Sequence, residues 1–161
     1  MTRQKEKASS KQTRKPSPLP YEVDMTATAE VVYVKMAQAA KAAEMAGDYA
    51  SAHCTTFNMV RDAIKRIIPN DPLNKKYALR GDLSNIFRLK KGRIRICWIA
   101  SSRMGRVCIL FVSETLRKEG DTNDPYVIFQ SLLDSGIFEQ YIAKYGVRMP
   151  SLSRPDKLKL N

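Results

Sequence analysis

Residues 88–99, RLKKGRIRICWI, carry side chains that could bind and act on a polyanion. Five of the first eight residues are lysine or arginine, and none is acidic. Arginine can bind a phosphate through two parallel hydrogen bonds, and lysine adds a mobile point charge. Charged and apolar residues alternate from Arg93 to Ile96, which predicts a strand with one face in a core and cations on the other. The pattern therefore predicts a phosphate-binding sheet face.

The net charge of +12 is concentrated in one central block and in the first twenty residues. Residues 75–118 hold twelve cations but only two acids, Asp82 and Glu114. The remaining parts, residues 21–74 and 119–161, are each slightly acidic. This distribution predicts a polyanionic partner, either nucleic acid or an anionic membrane, bound by one surface. A nuclease that uses two metal ions would need more carboxylates than the basic block offers.

The composition argues against several other classes of protein. Three cysteines without a CxxC pair disfavour a disulfide scaffold and a zinc site. No apolar run is long enough to span a membrane, and the first twenty residues lack the apolar stretch of a secretory signal. We therefore expect a cytoplasmic protein that needs no metal, cofactor or membrane.

The elements that must position the cations follow from hydrophobic periodicity and turn residues. The basic, proline-ended residues 1–20 cannot bury enough apolar surface to fold, so they are predicted to form a disordered tail. A domain over residues 21–146 and a C-terminal tail over residues 147–161 follow. In the domain we predict a strand at 21–25, helices to Ala46 and over 49–68, strands at 86–90, 93–100 and 106–112, a helix capped by Asp124, and a last helix at 137–145.

This order predicts an α+β fold with a mixed, mainly antiparallel sheet of about four strands. The two N-terminal helices should form a hairpin packed on one face, with further helices at the C-terminus. We expect the opposite face to stay open and to carry the cations. Arginines and lysines from separate segments would then converge with an aromatic ring on a concave surface that suits a single-stranded polyanion.

Two segments resemble a known family. Residues 79–99, LRGDLSNIFRLKKGRIRICWI, resemble the signature of RelE/ParE-type toxins of bacterial toxin–antitoxin pairs. Residues 115–136, TLRKEGDTNDPYVIFQSLLDSG, are similar to the YhaV branch of that superfamily. The resemblance covers roughly residues 21–136 and is best over the three central strands.

The resemblance implies a RelE-like fold and a metal-independent endoribonuclease that cuts mRNA, often on the ribosome. In the family's chemistry the 2′-hydroxyl attacks the adjacent phosphate, which leaves a cyclic phosphate and a 5′-hydroxyl. The reaction needs a base, cations for the charge that develops on phosphorus, and an acid for the leaving oxygen. The family also implies a cognate antitoxin, acidic and encoded next to the toxin, that covers the basic face.

The resemblance also suggests roles for particular residues. Arg95 corresponds to the phosphate clamp, and Arg88 to the basic position on the preceding strand. Ile86 occupies one of the family's two strand-lysine positions, so Lys90, with a pKa lowered by nearby cations, is the candidate base. Either member of the pair Arg117–Lys118 would stabilise the leaving group. Tyr126 would stack on a base.

Several of the candidate residues also have a purely structural interpretation. Arg80, Lys91, Arg93 and Lys118 are predicted to contact RNA. Arg80 could instead pair with Asp82, Lys91 could be a turn residue, and Arg93 could lie on an exposed edge. Tyr126 could be a core residue.

Two other functions remain open at this stage. The same scaffold could inhibit DNA gyrase without catalysis, as ParE-type toxins do, or it could bind RNA without cutting it. The cation cluster favours cleavage over gyrase inhibition, while the missing strand lysine keeps the non-cleaving alternative open.

Overall fold

The computed structural model describes residues 19–113 and 124–149. The chain begins with strand β1 (Glu22–Met25) and helix α1 (Ala27–Met45). Helix α2 (Ala52–Asp62) follows and continues through a π-helical turn, Ala63–Ile67, and a final turn, Ile68–Asn70. Strands β2 (Phe87–Lys91), β3 (Ile94–Ser101) and β4 (Arg106–Val112) come next, and helices α3 (Pro125–Asp134) and α4 (Glu139–Tyr145) end the described part.

Side-chain caps determine where the main helices begin. The Thr26 hydroxyl oxygen accepts a hydrogen bond from the Ala29 N–H at 3.0 Å, and the hydroxyl donates to the Leu110 carbonyl at 2.9 Å. Thr26 therefore both starts α1 and ties that helix to β4. The Asp124 carboxylate accepts from the Tyr126 N–H at 2.8 Å, with Pro125 at the first helical position, as predicted.

The sheet has the order β1-β4-β3-β2. Strand β1 pairs with β4 in parallel, whereas β4, β3 and β2 form an antiparallel meander. The helical hairpin α1–α2 lies between β1 and the meander in sequence, which allows the first strand to run parallel to the last. The predicted α+β fold with a mixed four-stranded sheet is confirmed.

Helices cover both faces of the sheet, so the expectation of an open opposite face is wrong. On one face α1 and α2 pack against β2, β3 and β4, and the Trp98 indole N–H donates to the Pro72 carbonyl at 2.9 Å. On the other face Phe129 and Leu133 of α3 and Ile142 of α4 pack against the central strands. The physical reason is visible in β4, which is buried without alternation from Val107 to Val112 and so needs apolar cover on both sides.

The second core extends slightly beyond the last helix, because Met149 is buried within it. The predicted tails, residues 1–20 and 147–161, lie mostly outside the described residues and stay predictions. Over the part of the chain that is described, no helix is long and apolar enough to cross a membrane.

Candidate nucleic-acid interface

Strand pairing brings three of the predicted site residues to one corner of the sheet. Arg88 lies opposite Cys97, and Lys90 lies opposite Arg95. Because side chains alternate along a strand, Arg88, Lys90 and Arg95 project to the side of the sheet that α3 and α4 cover. This corner is next to the start of α3, where Tyr126 lies.

The Arg95 side chain is held by main-chain carbonyls of its own hairpin. One terminal nitrogen, Nη1, donates to the Gly92 carbonyl at 2.9 Å and to the Ile94 carbonyl at 3.1 Å. The Arg95 N–H donates to the Ser113 hydroxyl oxygen, and the Ser113 N–H donates to the Arg95 carbonyl, both at 2.9 Å. The guanidinium is therefore positioned before any ligand arrives, with donors left over for one.

The electrostatics of Arg95 show which charges surround it. Partial burial lowers its pKa, and the neighbouring Arg88 charge lowers it further, while Asp124 acts in the opposite direction. An arginine remains charged despite such shifts. Two like charges are thus held close together, with one carboxylate nearby, which favours binding of an additional anion.

Tyr126 packs against Arg88 rather than standing clear of the protein. The Arg88 guanidinium carbon lies 4.9 Å from the centre of the Tyr126 ring, a cation–π contact. The Tyr126 hydroxyl is buried and has no hydrogen-bond partner among the described residues. One face of the ring is therefore occupied by the guanidinium.

The structure does not bring all the predicted residues to this corner. Lys91 lies on the opposite face, near Asp62 on α2; the hydrogen bond from Arg66 is the main cause that lowers the pKa of Asp62, and the Lys91 charge adds to it. Arg93 lies in the two-residue turn before β3 rather than in the strand. Arg80 is exposed at the start of a 3₁₀ turn, Gly81–Leu83, and forms no ion pair with Asp82 within the described residues.

Two predicted residues, Arg117 and Lys118, lie outside the described residues, so their roles stay predictions. Lys90 is exposed, and its position opposite Arg95 is given by strand register. We refer to Arg88, Lys90, Arg95 and Tyr126 together as the arginine corner.

The sequence interpretation missed two contributors. Asp124 was recognised only as a helix cap, although its charge also reaches Arg95. Ser113 was not considered, although it fixes the main chain of Arg95. The sequence does show Asp124 directly before Pro125 and Tyr126, so its closeness to the tyrosine of the site could have been noticed. Ser113 could not have been found in this way, because only the pairing of β3 with β4 brings it to Arg95.

One cation of the basic block is neutralised elsewhere. Arg106 donates to both oxygens of Asp24, at 2.9 and 2.7 Å, and to Glu22 at 2.6 Å. The Tyr145 hydroxyl also donates to Asp24. Arg106 is paired with Ser101, at the far end of β3 from Arg95, so this network does not belong to the arginine corner.

The structure is that of a small α+β protein with cations clustered at one corner of its sheet. Residues 24–145 match the YhaV toxin family, described as a toxin with endonuclease activity, of a toxin–antitoxin system. The chain belongs to this family, which confirms the prediction of an endonuclease toxin close to YhaV. It follows that the protein is an endonuclease with a cognate antitoxin.

This chain is also similar to a toxin in the solved structures. The RelBE2 toxin–antitoxin complex from Mycobacterium tuberculosis contains a chain that is 20% identical, with a TM-score of 0.45. The match covers 62% of this chain and 97% of that one. No curated protein matches the sequence.

Proposed function

We propose that this toxin is an endoribonuclease that cleaves mRNA by attack of a ribose 2′-hydroxyl on the adjacent phosphate, without a metal ion. The observation that carries the proposal is the proximity of Arg88 and Arg95 on one sheet face, with Arg95 anchored by carbonyl oxygens. Two fixed guanidiniums at one phosphate would stabilise the negative charge that develops on its oxygens.

In this scheme the residues of the corner have separate tasks. Arg95 binds the scissile phosphate through its free N–H donors, and Arg88 neutralises the second oxygen. Lys90, across the strand pair from Arg95, is the candidate for taking the 2′-hydroxyl proton. An arginine cannot readily do so, because its pKa is too high. Arg117 or Lys118 would stabilise the leaving 5′ oxygen.

Tyr126 has a different task from the one first expected. Its ring supports Arg88 from one side, so we propose that it positions the guanidinium. The proposed setting is the cytoplasm, with mRNA bound free or on the ribosome, and the cognate antitoxin is proposed to be acidic and to cover the arginine corner.

The test is cleavage of a short RNA in excess EDTA, with analysis of the products. We expect cleavage at an unchanged rate, products that end in a 2′,3′-cyclic phosphate and a 5′-hydroxyl, and no cleavage when a single 2′-deoxy nucleotide replaces the attacking ribose. Loss of activity on chelation, or cutting at the deoxy position, would refute the proposed chemistry.

The alternative activities are tested alongside. Inhibition of gyrase supercoiling without RNA cleavage would indicate the gyrase alternative. RNA binding without any products would indicate a module that does not cleave.

A further inference from the structure

A second cationic hollow lies at the opposite end of the sheet from the arginine corner. It has a volume of about 590 Å³, within the range of small-ligand sites. Its walls come from the end of β3, the β3–β4 turn, the start of β2 and the segment after α4. Because Arg95 and Ser101 are six residues apart on β3, the two sites are about 20 Å apart.

Two arginines at this hollow have no acidic partner within the described part of the chain. Arg103 lies in the β3–β4 turn and Arg148 follows α4, and both are exposed and line the hollow. Within residues 19–113 and 124–149, neither forms an ion pair, whereas nearby Arg106 pairs with Glu22 and Asp24. The hollow is therefore a local excess of positive charge.

Hydrogen bonds fix the backbone segments that carry these arginines. The Ser101 hydroxyl oxygen accepts from the Met104 N–H at 3.2 Å, and the Gly105 N–H donates to the Ser101 carbonyl at 2.8 Å, which closes the turn around Arg103. The Asn85 side-chain amide donates to the Arg148 carbonyl at 2.8 Å. Both arginines thus start from fixed main-chain positions, which lowers the entropy cost of binding an anion.

The rest of the lining combines apolar and hydroxyl groups. Leu73, Ala100 and Val147 give apolar surface, and Ser102 adds a hydroxyl group. Proteins that bind single-stranded nucleic acids combine surface against which a base can pack with positive charges for the phosphates.

We propose that this hollow binds a nucleotide of the substrate RNA outside the cleaved link, so that one strand occupies both sites. The inference rests on the proposed function in one respect, that RNA is the substrate. At about 3.4 Å per stacked nucleotide, the 20 Å gap corresponds to about six nucleotides. A strand must therefore exceed that length to use both sites.

The experiment measures binding of 2′-O-methyl RNA, which cannot be cleaved by attack of a 2′-hydroxyl. The full chain is titrated with strands of about four and about fifteen nucleotides, which are shorter and longer than the gap. The test variant is Arg103→Ala/Arg148→Ala. The matched control is Lys41→Ala/Lys65→Ala, which removes two exposed positive charges from the helical hairpin.

We expect the test variant to bind the long strand on the order of tenfold more weakly and the short strand normally. The dependence of log K on log salt for the long strand should become shallower by about 1.4, since each lost phosphate contact contributes about 0.7. The control should change both strands alike and by less. Arg103→Lys/Arg148→Lys, which keeps the charge but loses the bidentate geometry, should give an intermediate affinity.

Unchanged binding of the long strand would overturn the inference. Unchanged RNA binding with weaker capture of the co-expressed antitoxin would also overturn it, and would assign the hollow to the antitoxin instead. If the alanine pair is unstable, Arg103→Gln/Arg148→Gln keeps side-chain length and tests the same point. Because the RNA cannot be cut, a length-dependent loss would support the hollow even if the protein cleaves nothing.

Discussion

At the scale of single residues, what distinguishes Arg95 from other cations is its anchoring. Many lysines and arginines of the basic block are exposed and reach into solvent, but the Arg95 guanidinium donates to two carbonyl oxygens and lies beside Arg88. A positioned donor loses little entropy when a phosphate binds, and it stabilises the transition state more than a mobile charge does.

The first prediction concerns Arg95. Arg95→Ala should lower the rate of RNA cleavage by on the order of 10²–10³ and abolish toxicity, because the developing charge on phosphorus loses its fixed partner. Single-turnover cleavage and growth after induction measure the effect. Arg61→Ala, on the helical hairpin, is the matched control and should be fully active. A folded Arg95→Ala variant that remains toxic would remove Arg95 from the site.

The second prediction separates the ring of Tyr126 from its hydroxyl. Tyr126→Phe keeps the contact with Arg88 and removes a buried hydroxyl that has no partner among the described residues, so activity and thermal stability should be retained or rise slightly. Tyr126→Ala removes the support of Arg88, and cleavage should fall by about tenfold. If Tyr126→Phe instead lost activity as Tyr126→Ala does, the hydroxyl rather than the ring would be the functional group.

At the scale of secondary-structure elements, a hydrogen bond to an ionised aspartate connects α4 to β1. Asp24 on β1 accepts hydrogen bonds from Arg106 on β4 and from Tyr145 at the end of α4. The hydrogen bonds from Arg106 are the largest cause that lowers the pKa of Asp24, to about 2. Burial and the bond to Asp24 raise the pKa of Tyr145, so its hydroxyl stays protonated and can keep donating.

The third prediction follows from this pKa. Because the folded-state pKa lies below the unfolded value of about 3.9, ionised Asp24 stabilises the fold above that value, and the contribution disappears as the pH falls toward about 2. Asp24→Asn should therefore lower the free energy of unfolding by about 1–2 kcal/mol at pH 7, after allowance for partial exposure.

Urea unfolding at several pH values measures this effect. The difference between the wild type and Asp24→Asn should be constant above about pH 5 and should shrink below pH 4. Tyr145→Phe, which removes one donor but leaves Arg106 in place, should give a smaller loss. A difference that did not change with pH would contradict the electrostatic origin.

At the scale of the whole molecule, the net charge of +12 is not a uniform coat. Arg106 is neutralised by β1, and Arg66 pairs with Asp62 on α2. Among residues 19–113 and 124–149, the one carboxylate found to act on Arg95 is that of Asp124. This arrangement favours binding of a polyanion along one defined side rather than adsorption over the whole surface.

The fourth prediction is the salt dependence of RNA binding. Arg88, Lys90 and Arg95 together should contribute about −2 to the slope of log K against log salt, at about 0.7 per phosphate contact. Equilibrium binding of a non-cleavable RNA at several salt concentrations would measure the slope for the wild type and for Arg88→Gln/Lys90→Gln/Arg95→Gln. An unchanged slope in the triple variant would show that RNA binds elsewhere.

The sequence alone determined the order of elements, the cap at Asp124, the α+β class and the family, because these depend on local spacing, on residue types favoured at helix starts and on contiguous motifs. It also predicted that Arg88, Lys90 and Arg95 share one sheet face, since strand alternation and a tight turn fix their side and register. Only the tertiary structure decided that helices cover both faces, that Lys91 lies on the other side, and that Tyr126 supports Arg88. These depend on which distant segments pack together, and hydrophobic periodicity shows that a residue is buried without showing which partner buries it.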